Sequence, residues 1–157
     1  MRVLCTNDDG EQAVGLRALV EAASALGEVW VVAPAQEQSA TSHALTLHRP
    51  IGVHRVRPRA FRVEGTPTDC VLLAVHELLD PKPDLVLSGV NHGHNLGEDV
   101  LYSGTVAAAV EATLLGIPAM AISYAGDEPD AVEAYVPLLR RLLPELLQRW
   151  NGTPPDH

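Results

Sequence analysis

Four short, unbroken apolar runs punctuate the chain, at residues 3–6, 29–33, 85–88 and 119–123. Runs of this kind, without polar alternation, predict strands buried on both faces, as in a parallel sheet covered by helices. Between them the period changes. Leu16, Leu19, Val20, Ala23 and Leu26 fall on one helical stripe. Thr66 and Pro67 read as an N-cap and first helical residue, opening a second helix through Val71, Leu72, Val75 and Leu78. An Ala- and Val-rich third helix covers residues 105–115. A fourth covers residues 131–150, where Pro137 and Pro144 are expected to end or kink it. Strand and helix therefore alternate, which predicts a Rossmann-like, three-layer α/β/α fold with a mostly parallel sheet. Residues 45–63 break the rhythm with alternating arginines and read as a strand or hairpin excursion. One domain is expected over residues 1–150, with residues 151–157 as a flexible tail.

Composition narrows the function classes. The chain has 157 residues, 46% of them apolar, enough for one domain with a real core. Its formal charge of -9, from 20 acidic and 11 basic residues, disfavours nonspecific binding to nucleic acid or to an anionic membrane. Cys5 and Cys70 lie in apolar runs and read as buried thiols in a reducing compartment. No apolar stretch approaches the length of about 18 residues that a membrane span needs, and no charged-then-apolar leader is present. A cytoplasmic protein is the expectation.

In an open parallel sheet, ligands bind beyond the carboxyl ends of the strands. The first strand is followed by Asn7, Asp8, Asp9 and Gly10. Two adjacent carboxylates repel, and neither is buried cheaply without a cation, so a divalent metal is expected there. A plainer reading makes this segment a turn that caps the following helix. The second strand leads to Gln38, Ser39, Thr41, Ser42 and His43, and the third to a loop with glycines at 89, 93 and 97 and amides at Asn91 and Asn95. Oxygen donors of this kind suit Mg²⁺, Mn²⁺ or Ca²⁺ better than zinc. His43, His92 and His94 lack a zinc pattern and read as exposed. Ser103-Gly104-Thr105 opens the third helix, where free N–H groups and hydroxyls form a phosphate cradle; Ser103 as a simple N-cap is the alternative. Arginines 49, 55, 57, 59 and 62 read as a solvated hairpin face or a patch that attracts an anionic substrate.

Several of these segments, in this order, resemble the SurE family of metal-dependent nucleotidases. They are Thr6-Asn7-Asp8-Asp9-Gly10, Val32-Ala33-Pro34 with Gln38-Ser39-Ala40, Gly65-Thr66-Pro67-Thr68-Asp69-Cys70-Val71, Ser88-Gly89-Val90-Asn91 with Gly93, Asn95-Leu96-Gly97, and Tyr102-Ser103-Gly104-Thr105-Val106-Ala107-Ala108-Ala109. The resemblance implies one divalent ion per subunit, Mg²⁺ or Mn²⁺, held by Asp8, Asp9, Ser39 and Asn91. It implies phosphate contacts from Asn95, Ser103, Gly104 and Thr105, and catalysis by Asp8, Asp9, Asn95, Ser103 and Thr105. The implied substrate is a nucleoside monophosphate, cleaved as by a 5′- or 3′-nucleotidase through attack of water. Family members continue beyond residue 157, and the alternative is a chain that binds metal and nucleotide with little or no turnover. A signalling receiver domain fits poorly: it needs a phosphorylatable aspartate after the third strand and a lysine after the fifth, and no lysine follows Lys82. The leucine pairs at 138/139, 142/143 and 146/147 give the last helix a stripe wider than one sheet face requires, so a homodimer or larger homo-oligomer is expected.

Overall fold

Odd and even positions of the central strands point into two different cores. Val3, Cys5, Leu85 and Leu87 pack on one side of the sheet, and Leu4 and Val86 on the other. That division is why the strands read as unbroken apolar runs. The computed structural model describes residues 1–38 and 41–150. Its strands are β1 (Arg2–Thr6), β2 (Glu28–Pro34), β3 (Val53–Arg57), β4 (Ala60–Val63), β5 (Leu85–His92) and β6 (Ala119–Tyr124). The α-helices are α1 (Val14–Ala23), α2 (Pro67–Leu73), α3 (Gly104–Leu114) and α4 (Val136–Trp150). The sheet order is β3-β4-β2-β1-β5-β6. Every neighbouring pair is parallel except β3 with β4, the hairpin expected from residues 45–63. One face is covered by α1 and α4, the other by α2 and α3. Leu4, Leu85 and Leu87 are no more than 1% exposed, and burying each side chain contributes about 1.5–3 kcal/mol.

The start of α2 follows the sequence expectation in detail. The Thr66 hydroxyl accepts from the Asp69 N–H at 3.1 Å, and the Asp69 carboxylate accepts from the Thr66 N–H at 2.9 Å, with Pro67 in the first turn. The last helix departs from it. Residues 129–135 form a 3₁₀ helix, so α4 begins at Val136. Pro137 then falls in the first turn, where no N–H partner is needed. Pro144 lies inside the helix and does not end it. Burial of Val136 and Leu143, with Leu139 and Leu147 against the same core, outweighs the hydrogen bond that Pro144 forfeits.

β5 also runs longer than its apolar pattern. It continues through Asn91 and His92, which pair with Ser123 and Tyr124 after a register shift between Ser88 and Asn91. Gly89 makes this possible: its φ is +130°, and a Cβ there would lie 2.2 Å from the Ile122 carbonyl oxygen. The extension carries Asn91 from the sheet to the site. The hairpin arginines are largely engaged, Arg57 with Glu11 and Arg59 with Glu28, which favours the solvated-face reading. Cys5 and Cys70 are free and buried, and burial pushes both thiols up. Among the described residues no helix is long and apolar enough to cross a membrane. The expected tail at 151–157 lies outside the described residues.

Candidate active site

The loop leaving β1 is shaped from within. Asn7, fully buried, donates through Nδ2 to the Gly10 carbonyl at 3.0 Å. The helix that follows is not capped by this segment. The residue before α1 is Ala13, with no side-chain cap, so this segment forms a turn, closed by Asn7 onto Gly10, and does not cap the helix. Asp8 is 4% exposed, and one of its oxygens accepts a hydrogen bond from the Thr105 hydroxyl. The start of α3 presses directly on it. A Cβ at Gly104 would lie 2.9 Å from the Asp8 Cβ and 3.1 Å from its Oδ2. Glycine is needed there because backbone and carboxylate occupy the same space.

Asn91 completes this side. Its Nδ2 donates to the Gly93 and His92 carbonyls at 2.8 and 3.2 Å, while its Oδ1 lies 3.4 Å from the Thr105 hydroxyl. The amide is therefore oriented with its oxygen toward the group that holds Asp8. Asp9 is half-buried and accepts from the His92 N–H at 3.4 Å. Burial first, and the neighbouring Asp8 charge second, raise its pKa from 3.8 to about 6. Among the described residues, no Lys, Arg or His forms an ion pair with either aspartate.

These groups border a cleft of about 420 Å³ at the carboxyl ends of β1 and β5. Its lining includes Asp8, Asp9, Asn91, Asn95 and Ser103. Asn95 is held by donation from its Nδ2 to the Ser123 hydroxyl at 2.7 Å. Ser103 caps α3, its hydroxyl accepting from the Val106 N–H at 3.2 Å, so it serves as a cap and as cleft wall together. Gly104 and Thr105 are buried. The Thr105 hydroxyl is directed to Asp8 and does not line the cleft. Ser39 lies outside the described residues.

Sequence reasoning missed four lining residues: Glu37, His92 as a site group, Asp99 and Tyr102. Glu37, His92 and Tyr102 flank or sit within a motif it did single out, and that adjacency is the available signal; Asp99 lies between two such motifs. His94 is exposed, as read. Among the described residues no group of three or more His, Cys, Asp or Glu converges on a metal position. A cation here would take two carboxylates plus neutral oxygens such as that of Asn91, the donor set of hard divalent ions.

A Rossmann-like sheet, an adjacent pair of aspartates beyond its central strand, and a helix start packed against that pair define an α/β protein with an acidic cleft at the strand ends. The family described as survival protein SurE matches residues 3–154, and the chain belongs to the SurE family. It is 52% identical to a 5'-nucleotidase SurE of Geobacter metallireducens over 99% of this chain and 62% of that protein. It is 58% identical to a 5'-nucleotidase SurE of Gemmatimonas aurantiaca, over 93% of this chain and 59% of the relative. The crystal structure of the SurE protein from Aquifex aeolicus superposes with a TM-score of 0.90 at 42% identity, covering 98% of this chain and 62% of that one. The chain thus spans less than two thirds of the length of the relatives it matches.

Proposed function

We propose that the chain carries a metal-dependent phosphohydrolase site that cleaves nucleoside monophosphates to nucleoside and phosphate. The carrying observation is the Asp8–Asp9 couple, in no ion pair among the described residues, beside the N-terminal end of α3 in one cleft. The relatives' name, 5'-nucleotidase, supports the substrate class; cleavage of 3′-monophosphates rests on the resemblance alone. Asp8, Asp9, Asn91 and Ser39 would hold one Mg²⁺ or Mn²⁺ per subunit. Such an ion, when bound, neutralises phosphoryl charge and lowers the pKa of a bound water.

The chain's own residues do the rest. Thr105 fixes Asp8 by hydrogen bonding, and the Asn91 amide is oriented by its own loop. The backbone N–H groups at the start of α3, with Ser103 and Asn95, stabilise the equatorial phosphoryl oxygens. Either Asp8 or Asp9 takes the proton of the attacking water. Self-association and a cytoplasmic location belong to the same proposal. They are supported by the exposed Leu138, Leu146 and Trp150 on α4 and by the two buried free thiols.

Phosphate release from a panel of phosphomonoesters tests this, with Mn²⁺ or Mg²⁺ and with chelator. Nucleoside monophosphates should be cleaved, sugar phosphates and diesters poorly, and chelation should abolish release. Equal rates with chelator present would refute the metal requirement, and equal rates on every monoester would refute recognition of the nucleoside.

A further inference from the structure

Residues 41–46 cross the face formed by α2 and α3 and are tied down along their whole length. The Ser42 N–H donates to the Tyr102 carbonyl at 3.2 Å. The His43 Nε2 lies 2.6 Å from a carboxylate oxygen of Glu111. The Ala44 carbonyl accepts from the Thr66 hydroxyl at 2.7 Å. Thr46 donates to Asp69 through its N–H at 3.0 Å and its hydroxyl at 2.6 Å.

Two features of this strap are costly. Glu111 is a carboxylate only 8% exposed on an Ala-rich helix, and a buried carboxylate that loses its partner is strongly destabilising. Ser42 has a φ of 51°, in the left-handed region that disfavours side chains. Such strain persists only where the surroundings over-determine it. Here they do on both sides. The Ser42 N–H is held by Tyr102, and the next side chain is held by Glu111. Tyr102 lines the cleft and directly precedes Ser103, the cap of α3. The path from Glu111 through His43, Ser42 and Tyr102 to Ser103 begins and ends on α3, two turns apart.

We propose that His43 and Glu111 are positioning residues: they latch the strap to α3 and so set the place of the Tyr102–Ser103 turn on the phosphate side of the cleft. The proposal rests on the phosphohydrolase reading. Neither residue reaches the reacting atoms; both act through Ser42 and Tyr102.

The test uses His43→Ala, His43→Gln and Glu111→Ala in the full chain, with amide hydrogen exchange and steady-state release of phosphate from a nucleoside monophosphate with Mn²⁺. His43→Ala should speed exchange ~10-fold or more at Ser42 and at the first turn of α3, with β1 and β5 unchanged. Its kcat, per folded molecule, should fall ~10-fold while KM moves less than about threefold, because the cradle is displaced and the substrate still binds. Glu111→Ala, which leaves no buried charge behind, should reproduce both effects. His43→Gln keeps a donor toward Glu111 and should restore kcat to within about threefold of the parent. Unchanged exchange at Ser42 and α3 in both alanine variants would overturn the latch. So would a uniform rise in exchange across β1 and β5, or a glutamine variant as impaired as the alanine one. A parent chain that releases no phosphate overturns the phosphohydrolase reading instead, and the exchange arm then decides the latch on its own.

Discussion

Replacing Asp9 by Asn separates the two consequences of an acidic couple that has no cation. In metal-free protein, burial and the Asp8 charge lift the Asp9 pKa from 3.8 to about 6. The folded state therefore holds this proton more tightly than the unfolded chain does. The resulting contribution to stability is fully present below about pH 4 and is lost as pH rises through about 6. The rise is worth at most about 3 kcal/mol at 1.36 kcal/mol per pH unit. Asp9 is partly exposed, so solvent screening brings the expected value to about 1–2 kcal/mol. Asn is neutral throughout and keeps an acceptor for the His92 N–H. In chelator at pH 7.5 the variant should be more stable than the parent by that amount, a rise in Tm of roughly 3–6 °C for a domain of this size. At pH 4 the two should coincide. Added Mn²⁺ should stabilise the parent and leave the variant nearly unmoved, and hydrolysis should fall by at least about two orders of magnitude. Thermal unfolding at both pH values, with and without Mn²⁺, measures all of this. A variant less stable than the parent at pH 7.5 in chelator refutes the charge argument. Full hydrolysis by the variant refutes the site.

Three further outcomes are expected. Gly104→Ala puts a methyl 2.9 Å from the Asp8 Cβ, so α3 must shift; phosphate release should drop at least ~10-fold with a lower Tm, and parent-like kinetics would show that this close approach is unimportant. Thr105→Val keeps the shape but removes the donor to buried Asp8, which should cost about 1–3 kcal/mol in chemical denaturation and loosen Mn²⁺ binding measured by calorimetry; unaltered Mn²⁺ affinity would count against its role. Light scattering across a dilution series should report a dimer or larger, because α4 and β6 border an apolar groove of about 540 Å³ with Leu146 and Trp150 exposed beside it; a clean monomer at tens of micromolar would reject that.

The strands were legible because a parallel sheet buried on both faces demands continuous apolar residues, and Val3 to Cys5 and Leu85 to Leu87 supply them. The start of α2 was legible because Thr66, Pro67 and Asp69 act on one another within a single turn. What depends on distant neighbours was not. Gly89 looks like the start of a loop, and only the Ile122 carbonyl packed against it reveals a strand continuing to His92. Pro144 should disturb a helix by local propensity, yet the burial of Leu143 one residue earlier keeps α4 intact. Thr105 read as a phosphate contact because it opens a helix. Its hydroxyl points at Asp8 because Gly104 lets the helix descend onto that carboxylate. Glu111 is one polar residue in an Ala-rich helix, and nothing local marks it as the partner of His43.

The same cleft explains why metal and phosphate belong to one reading. Its wall carries the carboxylates of Asp8, Asp9 and Asp99. A phosphomonoester brings further negative charge, and the end of α3 offers only about half a positive charge in return. That balance is repulsive at neutral pH, so a helix start alone would make a poor anion site here. A divalent ion held by Asp8 and Asp9, as proposed, would reverse the sign there and leave the N–H groups of α3 to orient the phosphoryl oxygens instead of having to attract them. Asp8, on the loop after β1, is buried against Gly104 and bonded to Thr105, so under the proposed function a cation held by Asp8 would sit on a carboxylate braced by the helix that presents those N–H groups. On that reading, displacing α3 would harm cation binding and phosphate orientation together, and the tight Asp8–Gly104 contact makes both depend on a hydrogen atom in place of a methyl.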